Sequence, residues 1–349
     1  MELLSYYGLF LAKTVTVVVA IAAVVLLITH LAMRKRTQNG QLTLTDLGER
    51  YKEMKENMML ATMKHHDQKQ WHKEQKKKEK LEAKAAKQRV KQGIKTENGK
   101  PRLFVIDFKG SMDAHEVSAL REEISAVIAV AKPEDEVLLR LESPGGVVHG
   151  YGLASSQLQR LRDKGIRLTV AVDKVAASGG YMMACVADRI VAAPFSIIGS
   201  IGVVAQIPNF NRLLKRNEID VELHTAGEYK RTLTLFGENT EQGREKFRED
   251  LNETHQLFKT FVHQMRPSLD IDSVATGEHW FGTQALENGL VDAIGTSDDL
   301  IIDQLAAHNV IAVRFVTRKK MMDRFTQSAA GSVERLLLRL WQRGEKPLL

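Results

Sequence analysis

Ser178 is the residue whose type and surroundings most suit nucleophilic chemistry. It lies in VDKVAASGGYMMA (172–184), where an apolar run ends in small residues and two glycines follow the serine. This order predicts a strand, a tight joint and a helix, with the serine hydroxyl at the helix N-terminus. Free amides and the helix dipole stabilise developing negative charge there. By itself, however, a Ser-Gly-Gly sequence is most often only a tight turn.

A second glycine-rich joint and a few basic side chains complete the set of candidates. The segment LESPGGVVHG (141–150) predicts a strand that runs into a Pro-Gly-Gly turn, where backbone amides are able to approach a ligand closely. Lys230, in GEYKR, would by itself be read as a surface lysine. His149 and His224 lie near these motifs, but neither has an evident aspartate partner, so the sequence favours structural roles for both.

The elements that must position these residues begin after Pro101. Strand-like and helix-like patterns alternate there, which predicts an α/β fold with a largely parallel sheet. An aspartate, Asp113, stands where it would cap the first helix. The predicted strands are 102–108, 136–142, 166–172 and 310–316, with short apolar runs at 189–194, 199–206 and 220–227; the predicted helices are 113–131, 150–165, 240–265, the start of 282–295, and 297–308.

Composition excludes several classes of protein. The 349 residues are 44% hydrophobic and 27% charged, which excludes a wholly disordered chain, and the single cysteine, Cys185, excludes a disulfide framework and a Cys-rich metal site. The net charge of +7 arises from residues 34–100, whereas the part after residue 100 is mildly acidic. Because that excess lies outside the globular part, it does not indicate nucleic-acid binding. The histidines of the basic segment (His65, His66 and His72) fit a solvated surface better than a metal site.

A membrane anchor is expected near the N-terminus. The run Thr14–Met33 carries no formal charge, and at about 1.5 Å per residue it crosses the roughly 30 Å of a bilayer core. Arg34, Lys35 and Arg36 follow it and Tyr6 and Tyr7 precede it, as interfacial anchors would. A cleaved signal peptide would need a basic start and a shorter apolar core, so a retained single-pass anchor is favoured.

These features predict four regions. Residues 1–36 form the anchor, with its span at about 12–33, and residues 37–100 form a charged helical spacer. Residues 101–317 form the globular domain, and 318–349 a basic amphipathic tail. The tail suits a partner subunit, its own domain or the membrane surface, and the sequence does not choose among them.

Four motifs resemble those of the bacterial signal peptide peptidase (protease IV) family, in the family's order. They are SPGG, AASGGYMMACVADRIVAAPFSIIGSIGVV (176–204), GEYKR (227–231) and TGEHWFGTQALENGLVDAIG (276–295). The resemblance covers roughly residues 101–310. It implies a ClpP/crotonase-like fold of repeated β-β-α units and a serine–lysine dyad, with no cofactor and no metal. In this sequence the matching residues are Ser178 as nucleophile and Lys230 as general base.

The resemblance also suggests supporting residues and an assembly. Backbone amides of Gly179 and Gly146 are the candidates for the oxyanion hole, and the Ser143 hydroxyl is a candidate to orient the lysine. A lysine acts as a base only when burial lowers the pKa of its ammonium group well below about 10.4. Short members of the family form rings in which the lysine of one subunit meets the serine of the next. A homo-oligomer with shared sites is therefore expected.

The expected activity is that of a membrane-anchored serine endopeptidase in the bacterial inner membrane. Its substrates would be signal-peptide-like, membrane-associated or unfolded polypeptides, and its partners the lipid bilayer and further copies of itself. An acyl-CoA enzyme of the same fold and a non-enzymatic membrane scaffold are the alternatives. The side of the membrane stays open, since the basic flank favours the cytosol and the resemblance favours the periplasm.

Overall fold

The computed structural model describes residues 15–16, 40–91 and 100–317. The expected membrane span, except for two residues, and the expected tail lie outside these ranges. Among the described residues, no helix has the length and apolar character needed to cross a membrane. The chain divides into two compact units, one of residues 42–315 and one of residues 1–41 with 316–349. The fold below is that of the first unit and its end strands.

The main sheet has seven strands, and every pairing given for it is parallel. Residues 103–106 are buried on both faces of the sheet, as expected for a parallel sheet covered by helices on both sides. The predicted α/β class and the largely parallel sheet are therefore confirmed. In their order across the sheet the strands are β1 (Gly40–Asp46), β10 (Asn309–Thr317), β2 (Arg102–Lys109), β3 (Glu136–Glu142), β4 (Arg167–Val172), β6 (Arg189–Ala192) and β9 (Ala293–Ile294).

A second, three-stranded sheet carries the candidate nucleophile. It consists of β5 (Val175–Ala177), β7 (Ile197–Gly199) and β8 (His279–Phe281). Strand β5 pairs in parallel with β7, and β7 pairs antiparallel with β8, so the protein as a whole has mixed sheets. Because β5 follows β4 and β7 follows β6, the chain repeats a pattern of one main-sheet strand and one short strand.

Ten helices complete the described part of the chain. The core lies where α3 and α4 cover one face of the main sheet, with Leu120, Ile124, Leu158 and Leu161 at most 1% exposed. The helices are α1 (Leu47–Thr62), α2 (His65–Lys91), α3 (Val117–Val130), α4 (Val148–Asp163), α5 (Gly179–Ala184), α6 (Asn211–Arg216), α7 (Glu241–Met265), α8 (Ile271–Val274), α9 (Gly282–Glu287) and α10 (Ser297–Gln304).

The structure corrects the expected role of Asp113. Helix α3 begins at Val117, and its N-cap position is Glu116. Asp113 instead accepts a hydrogen bond from the Ser111 hydroxyl (2.7 Å) and contacts His115 (3.0 Å). These local side-chain bonds hold the loop after β2 in a non-helical form, which delays the helix by a turn.

The other differences lie at the edges of the fold. Strand β1 falls inside the segment that was expected to be entirely helical spacer, and it joins the main sheet beside β10. The apolar runs at 200–206 and 220–227 form no strand, and Val204 is 91% exposed. Helix α2, by contrast, is a long, charged helix of the kind expected for the spacer.

Glu123 is a buried carboxyl on α3, only 4% exposed, and it accepts a hydrogen bond from the Phe315 amide at 2.7 Å. It therefore ties the C-terminal end of β10 to the helix layer. Desolvation by burial raises the pKa of Glu123 to about 7. Since the unfolded carboxyl has a lower pKa, stability is fully present at acidic pH and is lost as the pH rises through about 7.

Replacement of Glu123 by glutamine should therefore stabilise the protein in a pH-dependent way. Glutamine keeps a carbonyl acceptor for Phe315 but never ionises. We expect Glu123→Gln to raise the melting temperature of the full chain by several degrees at pH 8, corresponding to up to about 3 kcal/mol, and to give little gain at pH 5. The exposed neighbour provides the control, and Glu122→Gln should have little effect at either pH. A pH-independent effect of Glu123→Gln would contradict this role.

Candidate active site

Ser178 occupies a strained joint between β5 and α5. Its backbone has φ 52° and ψ −119°, a conformation that residues with a β-carbon rarely adopt and that costs about 1–3 kcal/mol. The Ser178 amide donates to the Gly199 carbonyl at 2.8 Å, and the Ser178 carbonyl accepts from the Met182 amide at 2.9 Å. The backbone is thus fixed on both sides. The Ser178 hydroxyl makes no hydrogen bond with any residue in the described ranges, so it is free to react.

The two glycine-rich turns predicted from the sequence lie against each other. Gly145 has φ 88°, and a β-carbon on it would lie 2.8 Å from the Gly179 nitrogen and 2.8 Å from the Ser178 β-carbon. A β-carbon on Gly179 would lie 2.4 Å from Cγ of Tyr151. Both positions therefore require glycine, because only glycine lets the backbones approach this closely.

Replacement of Gly145 by alanine should damage the site. The new methyl group meets backbone atoms that have little room to move, and the positive φ adds strain. We expect Gly145→Ala to cost about 1–3 kcal/mol of stability and to reduce hydrolysis by about tenfold or more.

The matched control is Gly152→Ala, in the same segment of chain. A β-carbon on Gly152 has no neighbouring atom within 4 Å, so this change should leave hydrolysis intact and slightly stabilise α4. Equal activities of the two variants in a casein-hydrolysis assay would contradict the close approach of the turns.

Two backbone amides at these turns have no partner. Neither the Gly146 amide nor the Gly179 amide donates a hydrogen bond to any group in the part of the chain that the structure describes. On either side of Gly146, the Gly145 amide donates to the Ser143 hydroxyl (3.1 Å) and the Val147 amide donates to the Met112 carbonyl (2.9 Å). Free amides beside an activated serine are the donors that stabilise the oxyanion in acyl transfer.

These groups open into one cleft of about 690 Å³. The cleft has a serine nucleophile candidate at its floor, and its largely apolar walls suit an extended peptide. Its lining comprises Met112, residues 144–148, Tyr151, Ser178, Gly179, Met182, Ser200, residues 202–204, Thr254, His255, Phe258, Thr276 and Gly277.

Ser143 lies beneath this cleft and is fully buried. Its hydroxyl is 2.6 Å from the Tyr151 hydroxyl and accepts from the Gly145 amide. The structure therefore places Ser143 against Tyr151 and the glycine turn, and it does not bring Ser143 to Lys230.

Lys230 lies on an exposed turn and does not line the cleft. Its amide donates to the Gly227 carbonyl at 3.2 Å, and its side chain makes no ion pair or hydrogen bond with any described residue. Within one chain, the structure thus brings together Ser178, Gly179, Gly146 and Ser143, but it does not bring Lys230 to Ser178.

The histidines near the site divide into two groups. His149 and His224 are exposed and lie outside the cleft lining; His224 contacts the exposed Glu222 at 3.1 Å. His255, which the sequence analysis did not single out, lines the cleft from α7, and its Nε2 lies 3.1 Å from the Ile201 carbonyl. Tyr151 and Ser200 were also missed, and the only sequence signal for Tyr151 was its position just after the SPGG turn.

Comparison with known families identifies the class of this site. The model described as peptidase family S49 N-terminal matches residues 2–158, and the model described as peptidase family S49 matches residues 160–310. The chain belongs to peptidase family S49. The resemblance predicted from the motifs is thereby confirmed, and this S49 member is a serine-type peptidase.

Relatives of the S49 chain align with it over nearly its full length. It is 54% identical to a probable protease SohB of Buchnera aphidicola, over 98% of each chain. It is 52% identical to a probable protease SohB of Haemophilus influenzae, over 97% of this chain and 96% of that one. Among solved structures, it shares 11% identity and a TM-score of 0.38 with ClpP1 of Listeria monocytogenes, which covers 56% of this chain and 92% of that one.

Proposed function

We propose that the protein is a membrane-anchored endopeptidase that cleaves internal peptide bonds with Ser178 as nucleophile and Lys230 as general base. The observation that carries the proposal is the free Ser178 hydroxyl, held in a strained turn beside two unpartnered amides in an open cleft. Strain at a residue with a β-carbon is retained where the geometry serves a function.

In the proposed reaction, the neutral Lys230 amine takes the proton of the Ser178 hydroxyl as the oxygen attacks the substrate carbonyl. The carbonyl oxygen gains negative charge and accepts hydrogen bonds from the Gly179 and Gly146 amides. The tetrahedral intermediate then collapses, the lysine returns the proton to the leaving amine, and a water molecule hydrolyses the acyl-serine. Ser143 supports this arrangement through the Gly145 turn.

A neighbouring copy of the chain supplies Lys230 in this proposal. The segment that carries Lys230 exposes many large apolar side chains, and a patch of this kind is typical of a protein–protein interface. Burial between subunits also favours the neutral form of a lysine. The exposed residues are Val204, Ile207, Phe210, Leu213, Ile219, Val221, Leu223, Tyr229, Leu235 and Phe236.

The proposal includes the organisation predicted from the sequence. Residues 1–36 anchor the chain in the inner membrane by a single span, residues 101–317 with strand β1 form the peptidase domain, and 318–349 form a tail. The repeated pattern of a main-sheet strand and a short strand, followed by α5 after β4 and β5, supports a ClpP/crotonase-like assignment. An anchored peptidase with an open, largely apolar cleft suits membrane-associated or unfolded polypeptides, including segments like signal peptides.

A fluorophosphonate probe tests this function on the full chain. The probe reacts with activated serines, so we expect it to modify the protein at Ser178, as located by mass spectrometry of the digested product. Prior denaturation should prevent the labelling. Casein hydrolysis without modification at Ser178 would contradict the proposal, and an acyl-CoA enzyme or an inert scaffold would leave Ser178 unlabelled.

A further inference from the structure

Tyr151 is a fully buried tyrosine on α4 whose hydroxyl joins two loops of the site. It donates a hydrogen bond to the Ser111 carbonyl at 2.8 Å and lies 2.6 Å from the Ser143 hydroxyl. Ser111 is in the loop after β2, and Ser143 immediately precedes the SPGG turn. Burial raises the pKa of the Tyr151 phenol above its ordinary value, so the hydroxyl keeps its proton at neutral pH.

The direction of each hydrogen bond follows from the available protons. A carbonyl only accepts, so the Tyr151 proton goes to Ser111. The Ser143 hydroxyl then donates to the Tyr151 oxygen, and it accepts in turn from the Gly145 amide at 3.1 Å. This order satisfies every member of the chain, and a fully satisfied buried network holds its groups rigidly.

The network reaches both sides of the unpartnered Gly146 amide. On one side, the Gly145 amide is held by Ser143, which bonds directly to Tyr151. On the other side, the Val147 amide is held at 2.9 Å by the carbonyl of Met112, the residue after Ser111. One hydroxyl therefore links the two anchors that fix the orientation of the free amide between them.

The ring of the same tyrosine supports the second turn. A β-carbon on Gly179 would fall 2.4–2.8 Å from Cγ, Cδ2 and Cβ of Tyr151, so the ring packs directly against the Gly179 backbone. The hydroxyl thus fixes the turn at Gly146, and the ring fixes the turn at Gly179.

We propose that Tyr151 is a positioning residue that holds the Gly146 and Gly179 amides at the spacing needed to stabilise the oxyanion. The proposal rests on the proposed function, since it assumes that Ser178 attacks a carbonyl in this cleft. Tyr151 acts through the two turns and makes no bond to the reacting atoms. Loss of its hydroxyl loosens the Gly146 turn, and a misplacement of about 1 Å in a catalytic group costs up to about 100-fold in rate.

Tyr181 provides a matched control for the general cost of losing a buried hydroxyl. It is also fully buried, and its hydroxyl donates to a backbone carbonyl, that of Leu290, at 2.9 Å. This bond lies away from both glycine turns. Tyr181→Phe should therefore lower the melting temperature about as much as Tyr151→Phe and leave kcat unchanged.

The test compares kinetics of the full chain and its variants on a fluorogenic peptide. We expect Tyr151→Phe to lower kcat by about 10- to 100-fold and to change KM less than about twofold, because the amides act in the transition state. The inhibition constant of a tripeptide aldehyde, whose adduct needs the oxyanion donors, should rise by about the same factor as kcat/KM falls. The corresponding tripeptide alcohol, which forms no adduct, should bind equally well to both proteins.

Ser143→Ala is the second variant, and it breaks the same chain at the Gly145 amide. It should reproduce the loss in kcat, and the double variant should lose little more, because both changes interrupt one network. A kcat of Tyr151→Phe within twofold of wild type would overturn the role of Tyr151, and so would an equal loss in Tyr181→Phe. If Tyr151→Phe does not fold, an unchanged kcat in Ser143→Ala overturns the role.

Ser178→Ala, assayed in parallel, separates this inference from the proposed function. Full hydrolysis by Ser178→Ala would overturn the proposed function itself. Loss of activity in Ser178→Ala together with unchanged kinetics in Tyr151→Phe would overturn only the role of the tyrosine.

Discussion

Replacement of Ser178 by alanine should abolish peptide hydrolysis and leave the fold intact. The hydroxyl makes no hydrogen bond with any described residue, and alanine keeps the β-carbon, so neither bonding nor backbone strain changes. Removal of the nucleophile of a serine peptidase costs about 10⁴-fold or more in kcat. Hydrolysis of fluorescent casein measures the loss, and the melting temperature should match that of wild type.

Ser156→Ala is the control for this substitution. Ser156 is exposed on α4, where its hydroxyl only bonds to the Gly152 carbonyl of the same helix. Its removal should leave both hydrolysis and fluorophosphonate labelling unchanged. Residual activity of Ser178→Ala within tenfold of wild type would exclude Ser178 as the nucleophile.

Replacement of Lys230 by alanine should have an effect of the same order. A general base contributes about 10²- to 10⁴-fold, and a serine without its base is a poor nucleophile. Lys230→Arg should be equally inactive, because arginine keeps the charge but does not act as a base at neutral pH. The control is Lys215→Ala, which removes another exposed lysine, paired with Glu238, from the same surface. Activity of Lys230→Arg close to wild type would show that only the charge is needed.

Mixing the two inactive variants tests where the lysine comes from. If the base belongs to the neighbouring subunit, a site pairs an intact Ser178 from one chain with an intact Lys230 from the next. Co-expression of Ser178→Ala with Lys230→Ala at equal levels should then restore about a quarter of wild-type activity, as random neighbours in a symmetric ring give. A serine and lysine from the same chain would restore none, and that result would exclude shared sites.

Much of the main sheet was predictable because its strands are short apolar runs between clear helical patterns. Strands β5 and β8 were not predictable, since each has only three residues and derives its pairing from β7. Strand β1 was missed because its seven residues stand beside long charged helices, whose periodicity dominates that region. Its place in the sheet depends on pairing with a strand more than 250 positions away, which local patterns do not encode.

The site was predictable where backbone geometry depends on residue type. Glycine is required at Gly145 and Gly179, and the sequence marks both turns. The roles of Tyr151 and His255 depend on contacts between separate elements, and a tyrosine on a helix face is ordinarily a core residue. Lys230 was identified only by family resemblance, because an exposed lysine on a turn carries no signal of its own.

The separation of Ser178 from Lys230 has a consequence for the cell that makes the enzyme. A newly synthesised copy presents its nucleophile on one face and its base on another, so it is inert until copies meet. Assembly then takes the place of an inhibitory propeptide, and hydrolytic power rises with the concentration of chains in the membrane. Safety during biosynthesis would follow from geometry alone, with no segment to be removed.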